Sequence, residues 1–276
     1  MSRLRARFLA PAWVVLAFGF WVPLAIIAVY AVLSRGTYGG VEWPLTLANF
    51  ARFSDPLYFG ILWRSFWVAG AATALCLALG FPLALFIAES GPRKGLFLNL
   101  VILPFWTSFL IRTYAWVFLL RDTGLFNTAL QALGVIREPL PLLYNDGAVI
   151  LGLVYGYLPF MVLPLYATLE RLDRSLLEAA ADLGARRWAA FWRVTVPLAK
   201  PGIRAGVVLV FIPCLGTYIT SDLLGGSKTV LIGNLVQNQF TTGRDWPFGA
   251  AASLVLMAVV AALLFALLRR EEDALL

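Results

Sequence analysis

The sequence predicts an all-α integral membrane protein with six transmembrane helices. Three observations carry this reading. Of 276 residues, 61% are hydrophobic and only 13% are charged, against roughly 45–50% apolar and about 25% charged in a soluble domain. The apolar residues are gathered into runs long enough to cross a bilayer, and the charges gather between those runs. Disorder is excluded by the apolar fraction and a disulfide-stapled scaffold by the presence of only two cysteines. The absence of histidine removes the commonest metal ligand and the commonest general base together, which disfavours most hydrolase and oxidoreductase chemistry. No metal site is expected.

About 20 apolar residues are needed to cross the hydrocarbon at about 1.5 Å per residue. Phe8–Ser34, Ser65–Ala88, Gly147–Leu169 and Trp246–Leu268 meet this without a charge. Gly95–Leu120 is interrupted by Arg112, and Ala205–Leu224 by Asp222. The spans are therefore set at about 10–33, 64–88, 96–120, 147–169, 204–224 and 246–268, within a single domain covering 1–276 and joined by one long charged connection, 170–203. The first run is expected to be a retained helix, since it contains Trp and Pro and has no small-x-small cleavage site before Ser34. Residues Gly124 to Gly134 place Leu125, Phe126, Ala129, Leu130 and Leu133 on one helical face, as in a short helix at the outer interface.

The net charge of +7 does not point to nucleic acid, because the basic residues sit between apolar runs and not on a polar face. They set orientation instead. Fourteen lysines and arginines fall on the side of the termini and the even-numbered connections, among them Arg3, Arg5, Arg7, Arg174, Arg186, Arg187, Arg269 and Arg270; seven fall on the other. Both termini and the 170–203 connection are accordingly expected in the cytoplasm. Cys76 and Cys214 lie in apolar stretches and are assigned no chemistry. Prolines inside the spans (Pro23, Pro82, Pro104, Pro159, Pro164, Pro213) suit either bent helices around a path or simple packing variety.

The 170–203 connection reads as helix, break, helix. Ser175 and Glu178 form a capping box, Leu176, Leu177, Ala180 and Leu183 form an apolar stripe, and Gly184 falls where a helix ends in the left-handed conformation. Arg186 and Arg187 follow, at the carbonyl end where cations are favoured, and an aromatic segment runs through Trp188, Phe191 and Trp192 to Pro197.

Glu178-Ala179-Ala180, three residues, Gly184, nine residues, then Val194-Thr195-Val196-Pro197 resembles the EAA signature of ATP-binding-cassette importer permeases, EAA-x3-G-x9-I-x-L-P. The two departures, Val194 and Val196, conserve apolar character. Leu103 to Trp116 (LPFWTSFLIRTYAW), Tyr157 to Met161 (YLPFM), Asp222 to Gly226 (DLLGG) and Arg244 to Ala251 (RDWPFGAA) are similar to the spermidine/putrescine permease subfamily, nearer to its B-type component, over about the last two-thirds of the chain. The resemblance implies a type I ABC importer permease fold in the bacterial cytoplasmic (inner) membrane. It implies that Glu178, Ala179, Ala180, Gly184 and Pro197 belong to a coupling helix held by a separate ATPase. The implied partners are a second homologous permease chain, a sister by the habit of the subfamily, a cytoplasmic ATPase dimer that binds ATP and magnesium, and an extracytoplasmic solute-binding protein. The chain itself needs no cofactor and is not an enzyme; it has no GxxxxGK[ST] phosphate loop.

A polyamine path needs carboxylates for charge and aromatic faces for cation-π contacts. Asp222, with Tyr218 one turn earlier, is the acidic candidate, set against a structural pairing or a helix-end position. Trp106, Tyr114, Trp116, Tyr155 and Tyr157 are candidate aromatic walls, set against the ordinary place of such residues at membrane interfaces. Arg112 either pairs with Asp222, pairs with a carboxylate of a partner chain, or snorkels to the outer interface. The competing functions are the same type of permease for another small organic solute, and a secondary transporter, which would carry coupling-ion groups in broken helices and usually more spans.

Overall fold

The computed structural model describes residues 2–173 and 175–272, with side chains described for residue 11 and within 13–265. Arg174 and the side chains of Arg3, Arg5, Arg7, Arg269 and Arg270, counted above for orientation, lie outside the described residues. In chain order the elements are helix α1 (Ser2–Ala31), strands β1 (Leu33–Arg35) and β2 (Val41–Leu45), then helices α2 (Ala48–Ala51), α3 (Pro56–Glu89), α4 (Lys94–Ile102), α5 (Phe109–Leu120), α6 (Leu125–Ala132), α7 (Asp146–Leu169), α8 (Ser175–Asp182), α9 (Arg187–Ala190), α10 (Val196–Leu198), α11 (Lys200–Gly216), α12 (Ile232–Phe240) and α13 (Trp246–Glu272). Among the described residues, four helices are long and apolar enough to cross a membrane by themselves: α3, α7 and the stretches Trp13–Ala31 and Trp246–Phe265. Two bent pairs bring the number to six if each is one span: Gly91–Trp106 with Phe109–Ala132, bent by 86°, and Arg187–Leu198 with Lys200–Gly216, bent by 66°.

The chain divides into two compact units, Met1–Leu62 with Ile232–Leu276, and Trp63–Leu231. In the first, α1 meets α13 through Ala31, Ala250 and Ala251, with Ile27, Tyr30, Phe50, Phe240 and Leu254 around them, and Tyr30 stacks on Trp246 at 6.2 Å. Small residues let the two backbones approach. Most of α1 stays exposed, Trp13, Val15, Leu16 and Phe18 among them, as suits a helix that is apolar all round and has lipid for a solvent. Its last carbonyl, Ala31 O, is met by buried Asn49, whose Nδ2 also donates to Leu33 O at the start of β1, both at 2.9 Å. A second cluster joins Ile232, Leu235 and Phe248 to Phe53, Tyr58, Ile61, Leu62 and Leu256.

The strands were not foreseen. They form an antiparallel pair with Arg35 opposite Val41 and Ser34 opposite Glu42. The turn passes through Gly39 and Gly40 at φ of 92° and 79°, a conformation that residues with a Cβ rarely adopt.

In the second unit α7 is the central helix. Against it lies α11, whose Gly202 and Gly206 leave no room for a side chain: a Cβ at 202 would stand 2.8 Å from Pro164 O, and one at 206 would stand 2.5 Å from Met161 Sδ. On another part of α7 a Cβ at Gly152 would stand 2.4 Å from Leu224, and one at Gly156 would stand 3.1 Å from the Phe109 ring. Two small-xxx-small pairs, Gly202/Gly206 and Gly152/Gly156, thus seat α11, the 217–225 segment and the start of α5 around one helix. Cys76 and Cys214 are buried free thiols.

The helix foreseen over 96–120 is in two pieces. After α4 the chain tightens into a 3₁₀ turn, Leu103–Trp106, with Pro104 at its start; Thr107 and Ser108 are then extended, with ψ of 151° and 135°. Pro104 supplies no amide to continue the ladder, and Thr107 Oγ1 donates to Pro104 O at 2.7 Å. The helix foreseen over 204–224 likewise starts earlier, at Lys200, and ends at Gly216 with Thr217 extended at ψ 139°. A wider π-type turn then runs over Ser221–Gly225.

Candidate functional site

Two regions carry the residues singled out by sequence, both within Trp63–Leu231. The first is the elbow 170–203. Helix α8 begins at Ser175, one position earlier than a capping box with Ser175 as its cap would have it. The amide of Ser175 donates to Asp173 Oδ1 at 2.9 Å, so Asp173, not the Ser175/Glu178 pair, answers the orphan donor at the start. Backbone and side-chain hydrogen bonds from Ser175 hold the Asp173 carboxyl below its ordinary range. The far end fits the expected pattern. Gly184 has φ +79°, its amide donates to Ala181 O at 2.9 Å, and the amide of Ala185 donates to Ala180 O at 2.9 Å, the paired bonds of a Schellman ending.

The apolar stripe of α8 is split between two surroundings. Leu177 and Ala180 are half-buried, while Leu176 is exposed and Leu183 is 89% exposed. Glu178, Ala179 and Gly184 also face outward, and Pro197 is half-buried. Beneath α8 lies a cavity of about 470 Å³, lined by Leu85, Glu89, Leu169, Glu170, Leu177 and Glu178 among others. Lys94 pairs with Glu170 beside it; the bond from Lys94 holds the Glu170 carboxyl below its ordinary range and raises the lysine in turn. After Gly184 the aromatic segment is held by its own rings: Trp188 stacks on Phe191 at 5.5 Å, and Phe191 meets Phe81 edge-on at 5.4 Å. The backbone widens to a π-turn over Phe191–Thr195 before Ala199 joins it to α11.

The second region surrounds the break in the third span. Arg112, one turn into α5, projects into an aromatic box: its guanidinium carbon is 4.1 Å from the centre of the Phe105 ring and 5.9 Å from those of Phe109 and Tyr155. Nε and Nη1 are buried and have no hydrogen-bond partner. A ring within about 6 Å is worth about 0.5–2 kcal/mol to a cation, while a buried donor left unmet costs about 1–3 kcal/mol. Three rings against two unmet donors come close to cancelling.

Arg112 forms no ion pair with Asp222. The three ion pairs among the described residues are Arg52–Asp245, Arg64–Asp146 and Lys94–Glu170. Asp222 is exposed on the π-type turn, its amide bonded to Tyr218 O at 2.8 Å. The i, i+4 relation between the two therefore holds, but on a segment separated from α11 by the extended Thr217. The aromatic candidates are only partly gathered. Trp116 meets Tyr155 edge-on at 5.6 Å and stacks on Phe126 at 6.5 Å, next to the Arg112 box. Tyr157 lies beside Thr217 and Cys214, Tyr114 is half-exposed, and Trp106 is 82% exposed, pointing away from any cluster. Phe105, the nearest ring to the guanidinium, and Phe109 were not singled out from sequence as walls; the signal was their spacing of seven and three residues before Arg112.

Comparison with known proteins places this geometry. Residues 77–271 match the family described as the binding-protein-dependent transport system inner membrane component. The spermidine/putrescine transport system permease protein PotB of Escherichia coli strain K12 is 47% identical over 253 residues, 91% of each chain. The protein of the same description from Haemophilus influenzae is 41% identical over 258 residues, covering 93% of this chain and 90% of that one. The molybdenum transport system permease protein ModB of Mycobacterium bovis is 30% identical over 254 residues, 92% and 91%. Among solved structures, a bacterial ABC transporter involved in import of the acidic polysaccharide alginate shares the fold at 19% identity, with a TM-score of 0.76 over 98% of this chain and 95% of that one. Four apolar spans, or six with each bent pair as one, an EAA-type elbow and these matches lead to one conclusion: the chain is a mostly helical, multi-pass membrane protein that belongs to the family of binding-protein-dependent transport system inner membrane components, the permease subunits of type I ABC importers.

Proposed function

We propose that this permease subunit carries polyamines, spermidine or putrescine, inward across a bacterial inner membrane. The observation that carries the reading is the 47% identity over 91% of both chains to a permease of that description. In this reading both termini and the 170–203 segment are cytoplasmic, in keeping with the two-to-one excess of basic residues on that side. Helix α8, through Glu178, Ala179, Ala180 and Gly184, with Pro197 behind it, docks on a separate ATPase that binds ATP and magnesium. The exposed Leu176 and Leu183 supply an apolar contact that water leaves unmet, as expected of a surface covered by a partner. A second, homologous permease chain completes the path and an extracytoplasmic binding protein delivers the solute. The chain performs no catalysis and needs no cofactor of its own.

Along the path Asp222 and Tyr218 offer a carboxylate and a ring on one exposed turn, and Trp116 and Tyr155 offer paired rings. Trp106, Tyr114 and Tyr157 complete the proposed set at greater distance. The test is uptake into proteoliposomes holding the chain with its sister permease, ATPase and binding protein, using radiolabelled spermidine, putrescine and a neutral amino acid. ATP-dependent accumulation of the first two but not the third is expected; accumulation of the amino acid alone would overturn the reading. A second reading, another small solute, draws on the 30% identity to a permease named for molybdenum; uptake of an oxyanion and no polyamine would favour it.

A further inference from the structure

Arg112 poses a physical problem for a polyamine path: it is a fixed positive charge on a span that a polycation must pass. Its surroundings suggest a resolution. The guanidinium lies over Phe105 at 4.1 Å, with Phe109 and Tyr155 each at 5.9 Å, and its Nε and Nη1 reach no acceptor. Such a seat attracts any organic cation by its ring faces and offers nothing specific to a guanidinium. An arginine kept for structure normally has its donors met. Here Nε and Nη1 are not, and the near balance between ring attraction and these unmet donors makes Arg112 easy to unseat. Its long side chain can swing while its backbone stays in the α5 ladder, and Tyr155 is itself 37% exposed.

We infer that the Phe105, Phe109 and Tyr155 rings form a binding seat for an alkylammonium group, and that Arg112 is a tethered cation filling this seat when no solute is there. The inference rests on the polyamine reading. An arriving ammonium flanked by methylenes fits the same faces, and like charge prevents both from staying, so the solute displaces the arginine. A neutral solute has no means of displacing it. Arg112 thereby sets specificity and closes the seat to leak in the resting state. The residue acts on solute affinity by competition, which a merely structural arginine would not do.

The test uses the complete complex in proteoliposomes and reads the half-saturating concentration for spermidine uptake separately from its maximal rate. Removing the competitor by Arg112→Gln should lower the half-saturating concentration by about threefold or more, the scale of one cation-π contact, while Arg112→Lys, which keeps a tethered cation, stays near the parent value. Phe105→Leu, which weakens the seat for solute and arginine alike, should lose the response of affinity to Arg112→Gln in the double variant. An unchanged or raised half-saturating concentration in an assembled Arg112→Gln complex overturns the inference. Should Arg112→Gln not assemble, Arg112→Met, neutral and of similar length, takes its place: a lowered half-saturating concentration supports the inference, and an unchanged or raised one overturns it. If the parent complex takes up no alkylammonium at all, the polyamine reading fails and takes this inference with it. If it does and Arg112→Gln shows no gain, only the inference about Arg112 fails.

Discussion

Arg64 holds Asp146 with two nitrogens: Nη2 lies 2.6 Å from Oδ1, and Nε lies 3.2 Å from both carboxylate oxygens. The same guanidinium donates from Nη1 to Lys228 O at 2.7 Å, and Thr229 Oγ1 donates to Asp146 Oδ1 at 2.8 Å. Three sequence-distant segments, α3, the start of α7 and the 226–229 turn, meet at one planar fork, a geometry that an ammonium cannot reproduce. Arg64→Lys is therefore expected to destabilise nearly as much as Arg64→Ala, by about 1–3 kcal/mol for hydrogen bonds to a charged group. Thermal unfolding of the purified complex measures this; a lysine variant as stable as the parent would show that charge alone suffices.

A different outcome is expected at Arg52. Its partner Asp245 is only 3% exposed, lies 2.7 Å from Arg52 Nη1, and accepts from the Phe248 amide at 3.2 Å at the start of α13, while the guanidinium rests 3.7 Å over the Phe248 ring. Arg52→Ala leaves a buried carboxylate without its counter-ion and should cost about 3–5 kcal/mol. Asp245→Asn keeps a cap for α13, so the Arg52→Ala/Asp245→Asn pair should be more stable than Arg52→Ala alone. A double-mutant cycle on unfolding midpoints decides it.

At Gly184 the backbone sets the requirement. Nothing lies within 4 Å of a Cβ built there, yet φ is +79°, which costs an ordinary residue about 1–2 kcal/mol. Asparagine tolerates this conformation and a β-branched residue does not, so solute-stimulated ATP hydrolysis should fall in the order Gly, Asn, Ala, Val, with membrane insertion unchanged in all four. Equal activity of the valine variant, measured with the ATPase co-purified, would remove the left-handed ending from the proposed coupling.

The start of α8 should respond to acid. Hydrogen bonds from Ser175 hold the Asp173 carboxyl below its ordinary value of 3.8. A carboxyl lowered on folding contributes fully above its unfolded value and loses that contribution as pH falls through the lowered one. Amide protection at Ser175 to Leu177 should therefore be level from neutral pH down to about pH 5 and be lost below about pH 4. In Asp173→Ala it should be low throughout, read by hydrogen exchange; equal protection in both proteins would assign the helix start to other contacts.

The sequence made α7 and α13 legible because hydropathy reports length without charge, and those two helices need nothing more. It could not show the break at Thr107 and Ser108, since apolar composition continues through an extended pair of residues; the available signal was Pro104 followed by two hydroxyl side chains inside an apolar run. The EAA-type spacing located α8 and its glycine ending, but the helix start went to Asp173 because an aspartate two residues upstream takes the Ser175 amide that Glu178 would have reached back for in a capping box. Arg52 and Arg64, which sequence treats only as charges beside a membrane, turn out to be structural because their carboxylates lie more than eighty residues away in the chain. Asp222 and Arg112 form no ion pair, and Asp222 lies beyond the extended Thr217 on a turn separate from α11.

The glycine contact between α7 and α11 has a mechanical consequence. With Pro164 O and Met161 filling the notches at Gly202 and Gly206, neither helix can slide along the other without a collision of van der Waals surfaces. In the proposed coupling, a push delivered at Ala199, where the elbow turns by 66° into α11, would be passed to both helices at once, and the fourth and fifth spans would tilt as one stiff oar about a shared fulcrum.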